Sequence, residues 1–334
     1  MTRMLPRFHF HARATRRSGL LAASLLLAAP LASCQKDTPA AAAPPALSSL
    51  PAYDPAASLH QEFSGQKALD HALAVVAFGP RPSGSEALEK TRQYFETELK
   101  KTGWVTERQT FEDTTPRGRK SFTNVRARFP GGGDPWKRPV PLLIASHYDT
   151  KVFDDAVFVG ANDGGSGNGA MLEIARVLAQ KPAVAQRVEL VFFDGEEAIV
   201  NFTPLDGLHG SRHYARWLRG LPRELRPSKG IVLDMVGEKA LNIGIPPNSS
   251  SALRQLVFRA AEDAGHRRYF SAYPVEILDD HVPLQMAGVE MTNLIDMDFK
   301  AWHTPDDTAD QLSAESLGIT GQTTVLLVEK YLLR

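Results

Sequence analysis

The chain has 334 residues, 43% hydrophobic and 23% charged, an ordinary soluble composition with room for one large folded domain or two small ones. Thirty-eight basic groups balance 38 acidic ones. Five of the arginines and no acid fall within residues 1–33, which leaves 33 basic against 38 acidic groups, a charge of about −5, on the remainder. That balance excludes a nucleic-acid partner recognised by charge, and a single cysteine, Cys34, excludes an internal disulfide or a thiolate metal site.

The first element is a targeting segment. Basic residues end at Arg17, and an apolar run follows from Gly19 to Ala32. The run falls short of the roughly 20 residues of a membrane span but suits the core of a signal peptide. Leu31-Ala32-Ser33-Cys34 resembles a bacterial lipoprotein cleavage box. Residues 1–33 therefore read as a signal peptide and Cys34 as the lipid attachment site. A plain secretory signal is the alternative, and Arg16-Arg17 also admits twin-arginine export. Residues 34–57, rich in Ala, Pro and Ser, read as a flexible tether. The expected product is an exported lipoprotein that faces the periplasm or cell exterior and meets the membrane only through its anchor.

Residues 58–334 read as one domain. Leu88, Phe95 and Leu99 share a helical face between Gly84 and the stop at Gly103. Strand-like segments follow near Trp104–Phe111 and Phe122–Phe129, the second broken by Pro130-Gly131-Gly132-Gly133. Short continuous apolar runs then recur at Pro141–Ala145, Val188–Phe193, Ile231–Leu233 and Thr292–Ile295. Helices are expected at Asn168–Ala179, Ser211–Leu218, Ser250–Ala264 and Ala314–Leu333. Runs of this kind suit strands buried on both faces, so the fold class is α/β: a central, mostly parallel mixed sheet flanked by helices on both faces.

The chemistry follows the strands. His147 and Asp149 come directly after the first apolar run, Glu196-Glu197 after the second, Asp234 ends the third, and His303 lies a short loop beyond the fourth. Ligands in open α/β sheets bind at the carboxyl ends of the strands. Carboxylates and imidazoles gathered there are the ligand types of zinc.

The segments ASHYDTK, GANDGGSG, FFDGEEAI, GSRHYA, LDMVG, DDHVP and AWHTPDD, in that order from about Phe78 onward, resemble the animal-type glutaminyl cyclases. That family shares its fold with dinuclear zinc aminopeptidases. The resemblance implies one zinc held by Asp163, Glu197 and His303, with Glu196 as general acid/base. It implies Asp234 and Asp279 around the substrate's amino end, and Trp302 and Phe202 as pocket walls, Phe202 standing where the animal enzymes carry tryptophan. It also implies peptide or protein N-termini as substrates and a monomer.

The aminopeptidase reading remains open, because His147, Asp163 and Asp234 match the ligands of a second zinc. Asp279-Asp280-His281, Trp302 beside His303 and GSRHYA favour the cyclase. A non-catalytic binding protein on this fold predicts eroded ligands, whereas Asp163, Glu196, Glu197 and His303 are intact. His281 reads either as a support to the site or as a packed residue. Asp306 and Asp307 read as solvated helix-start acids, and His209, His213 and His266 as surface or packing residues.

Overall fold

The computed structural model describes residues 58–203 and 205–333. The expected signal peptide, lipid attachment at Cys34 and tether through residue 57 lie outside the described residues. Among those described, no helix is long and apolar enough to cross a membrane.

The first helices, α1 Gly65–Val76 and α2 Glu86–Lys101, precede an antiparallel hairpin of β1 Val105–Thr115 and β2 Gly118–Arg128. Then come β3 Leu142–His147, α3 Gly167–Leu178, α4 Pro182–Ala185, β4 Val188–Phe193, α5 His209–Gly220 and β5 Lys229–Asp234. The chain finishes with β6 Ile243–Ile245, α6 Ser251–Asp263, β7 Phe270–Ala272, α7 His281–Met286, β8 Glu290–Ile295 and α8 Ala314–Leu327. The strands form one sheet in the order β1-β2-β4-β3-β5-β8-β6-β7. Its centre, β4-β3-β5-β8, is parallel, whereas β2 joins β4 and β6 joins β8 antiparallel.

The central strands alternate between two cores, as a period of two requires. Leu142, Ile144, Leu190, Phe192, Ile231 and Leu233 face the larger core, which α1, α2, α3, α6 and α8 cover. Leu143, Ala145, Val191, Phe193 and Val232 face the smaller one, closed by α5 and α7. Local signals fix the helices. The Ser85 hydroxyl accepts from the Leu88 N–H at 3.1 Å to cap α2, and Glu86 and Glu89 fill its first turn, where the helix dipole favours acids.

The expected central strands are present, with three differences elsewhere. Helix α1 is additional to the helices expected from the sequence: it packs by backbone proximity as well as by apolar residues, since a Cβ at Gly169 would lie 2.3 Å from the Ala68 carbonyl oxygen. The three-residue strands β6 and β7 are too short to show an alternating pattern. The last helix does not run unbroken to Leu333 but gives way at Val328–Leu332 to a wider π turn.

Candidate metal and active site

Four strand ends deliver the site. β3 finishes on His147 and β5 on Asp234, each with its side chain at the carboxyl edge. After β4 the chain turns through Gly195, at φ 73°, into Glu196 and Glu197; a Cβ at Gly195 would meet the Phe122 ring at 2.5 Å. Asp163 projects from the segment Ala161–Ser166, where Asp163 itself (ψ 102°) and Gly164 (φ 80°) depart from helical geometry. His303 follows β8 with φ 55°, and Met235, next to Asp234, has φ 49°. Such left-handed conformations are costly for residues with a Cβ and tend to mark functional loops.

Two trios result. His303 Nε2 lies 3.1 Å from Glu197 Oε1 and 3.3 Å from Asp163 Oδ2. His147 Nε2 lies 3.1 Å from Asp163 Oδ1 and 3.2 Å from Asp234 Oδ1. Either group of donor atoms could hold a metal ion. Ligands about 2.0–2.1 Å from zinc in a tetrahedron are about 3.3 Å apart, the spacing found here. A second observation agrees: His147, Asp163, Glu197 and Asp234 are all buried, and carboxylates withdrawn from water in one cluster call for a cation among them. The residues therefore fit zinc, with Asp163 offering one oxygen to each trio.

The charges are strained in a consistent direction. Burial disfavours a charged His303, but Asp163 and Glu197 outweigh it and lift its pKa to about 9. Burial also works on Asp163, yet hydrogen bonds from His147 and His303 hold it well below the usual carboxylate range. Burial, then the neighbouring Asp163, raises Glu197. Glu196 is pushed well above its ordinary value by burial first; His147 opposes this, and Glu197, Asp279 and Asp280 add to it. Burial and the charge of Asp234 likewise raise Asp279, whose Oδ2 accepts from Asn293 Nδ2 at 2.5 Å.

These groups line a cavity of about 300 Å³ that includes Asp163, Glu196, Glu197, Asp234, Asp279, Phe202, Trp302 and His303. That volume is at the small end for ligand sites and suits one residue rather than a length of chain. Trp302 stacks on His303 with ring centroids 4.4 Å apart. Phe202 sits at the mouth, with Lys151 Nζ 5.6 Å from its ring.

Several residues support the site: Asp149 was legible at a strand end though its role was not, and Lys151 and Arg81 carry no signal in the sequence. Asp149 accepts the backbone N–H groups of Glu196 and Glu197 at 3.1 and 3.2 Å, fixing the glutamate pair. Lys151 places Nζ 3.5 Å from Glu197 Oε2. Arg81, fully buried, donates to the carbonyls of Tyr148, Val159 and Gly160 and so binds the loop before Asp163. Asp307 corrects an expectation. It is not solvated but fully buried, and its carboxylate accepts from the N–H groups of Asn162 at 2.8 Å and Asp163 at 3.0 Å. Only its neighbour Asp306 is exposed. His281 is a packed residue: burial lowers it to about 4, and neither ring nitrogen has a hydrogen-bond partner among the described residues. His209 is also buried, its Nδ1 2.9 Å from Asp113.

Fold and site together are those of an α/β enzyme with a candidate metal centre at the carboxyl edge of the sheet. Residues 124–328 match the family described as Peptidase family M28. The glutaminyl-peptide cyclotransferase of Boiga irregularis is 31% identical over 294 residues, covering 75% of this chain and 77% of its own. The crystal structure of an Acidobacteriales bacterium glutaminyl cyclase is 32% identical and superposes with a TM-score of 0.71, over 80% of this chain and 94% of that one. A Zn-dependent exopeptidase from Parabacteroides distasonis, 28% identical, also superposes at 0.71, over 80% and 98% of the two chains. The chain belongs to peptidase family M28 and, within it, to the glutaminyl-peptide cyclotransferases.

Proposed function

We propose that this enzyme is a zinc-dependent glutaminyl-peptide cyclotransferase that converts the N-terminal glutamine of peptides to pyroglutamate and releases ammonia. The observation that carries the reading is the small, apolar-walled cavity in which Glu196, Asp234 and Asp279 converge on the Asp163–Glu197–His303 trio. A zinc ion held by that trio would supply Lewis-acid polarisation of the side-chain amide oxygen.

The chain's own residues supply the rest. Asp234 and Asp279 hold the substrate's α-amine, and the pocket keeps it against the amide carbon, an arrangement that replaces a random encounter by a fixed approach. Glu196 takes a proton from the amine as the new carbon–nitrogen bond forms. It returns that proton to the departing nitrogen as the old bond breaks. Phe202 and Trp302 give the pocket apolar walls against which the substrate side chain packs. The signal-like residues 1–33 and Cys34 support an exported, lipid-anchored enzyme.

One observation favours a second reading. The His147–Asp163–Asp234 trio is complete, as a dinuclear aminopeptidase requires. A single zinc-quantified preparation, assayed in parallel for ammonia release from Gln-initiated peptides and leucine release from leucyl anilides, decides between them. The cyclase predicts about one zinc per chain and ammonia release; two tightly held ions with rapid leucine release would establish the hydrolase.

A further inference from the structure

A second cavity, of about 490 Å³, adjoins the first. Phe202 and Leu278 line both, so only these side chains separate the two at the rim of the site. Their charges are opposite. The inner cavity is acidic, with Glu196, Glu197, Asp234 and Asp279. The outer one is lined by Arg212, Arg216 and Arg219 of α5, opposite Met286 at the end of α7.

The three arginines stand at i, i+4 and i+7, one face of the helix. Arg212 donates to the Thr203 carbonyl at 2.8 Å and ties the loop that carries Phe202. Arg216 and Arg219 are exposed and make no ion pair within 4 Å among the described residues. The carboxylates whose charge reaches this face are committed elsewhere. Asp113 faces His209, Asp206 accepts the N–H groups of Ile199, Val200 and Asn201, and Asp280 is fully buried. Leu278 and Met286, 53% and 73% exposed, add apolar surface to the outer cavity, and Leu278 also borders the inner one.

Resting on the reading of a peptide substrate above, the geometry points to this groove as the seat of the substrate chain beyond its first residue, with selection for acidic side chains. The inner cavity takes the N-terminal residue, and its carboxylates face the cationic amine. The second residue crosses Phe202 and Leu278, and an acid further along meets Arg216 and Arg219. The rise from Arg212 to Arg219 is about 10 Å along the helix. An extended peptide covers that in about three residues, which places the preferred acids at positions three to five.

The test uses the full, zinc-loaded chain and Gln-initiated pentapeptides that differ only at positions three to five: Glu, Gln or Lys. Each kcat/KM is divided by that for glutamine amide with the same preparation, so the quantity read is the contribution of the chain beyond the first residue. The acidic peptide is expected to exceed the lysine peptide by about tenfold, mainly through KM, with the ratio shrinking as salt rises. The double charge reversal Arg216→Glu with Arg219→Glu should invert it; both side chains are exposed, and circular dichroism verifies folding. Equal kcat/KM for the two wild-type series, or a preference that survives the reversal, overturns the inference. If N-terminal residues are hydrolysed rather than cyclised, the function proposed above fails. The same acidic-to-basic ratio, read on hydrolysis, then still decides the groove. If neither reaction occurs on any peptide, both proposals fall.

Discussion

Asp307→Ala tests how the metal centre is assembled. The wild-type carboxylate accepts two backbone N–H groups, those of Asn162 at 2.8 Å and Asp163 at 3.0 Å, in a fully buried position. A hydrogen bond to a charged group is worth about 1.5–3 kcal/mol, so the pair contributes about 3–6 kcal/mol to holding this loop. Part of that is offset, because burial, and then the charge of Asp163, raises Asp307 to about 7. The Asp163 carboxylate then loses its anchored backbone. Outer-partner losses of this kind typically reduce metal affinity about 10–100-fold.

We therefore expect Asp307→Ala to bind zinc about 10–100-fold more weakly. Its Tm should also fall by several degrees, at about 2–4 °C per kcal/mol for a domain of this size. The assay is competition against a zinc-chelating fluorophore, with thermal melts in parallel and the exposed neighbour changed as Asp306→Ala for a control. Wild-type zinc affinity in Asp307→Ala, with only Tm reduced, would refute the reasoning and leave Asp307 a purely structural residue.

Glu196→Gln should lower turnover about 10²–10⁴-fold while zinc content stays unchanged; loss of zinc would show Glu196 to be a ligand instead. His147→Ala should retain about one zinc per chain by elemental analysis, since the Asp163–Glu197–His303 trio remains; a metal-free protein would show that the two trios act as one site. Away from the centre, burial and the adjacent Glu238 raise Asp296 to about 7, far above the ordinary aspartate value of about 4. A folded-state pKa above the unfolded one means the contribution is complete below about pH 4 and lost as pH climbs through 7. Tm should accordingly fall between pH 5 and pH 8, and fall less in Glu238→Gln; identical losses would exclude this pair as the cause.

The sheet was legible because β3, β4, β5 and β8 are apolar on both faces, a pattern that needs no partner to be recognised. The ends of these strands then located His147, Glu196, Glu197 and Asp234 directly. Asp163 required the likeness of its surrounding segment, since Asp and Gly together also make an ordinary turn. What escaped was support at a distance. Nothing local distinguishes buried Asp307 from exposed Asp306, because the difference lies in which one reaches the N–H groups of Asn162 and Asp163, more than 140 positions earlier in the chain. Arg81 is similar: an arginine between α1 and α2 reads as a surface charge until the carbonyls of Val159 and Gly160 surround it.

The two oxygens of Asp163 face different imidazoles, so metal ions entering the neighbouring trios would not fill them independently. A dication seated with Glu197 and His303 draws electron density from the carboxylate that a second dication would need, and repels that newcomer across a few ångströms. Loading would therefore be stepwise and anticooperative, with a tight first equivalent and a weak second. A passage between one-metal and two-metal chemistry on this scaffold then needs no ligand to be exchanged, only a change in how strongly the second cation is tolerated.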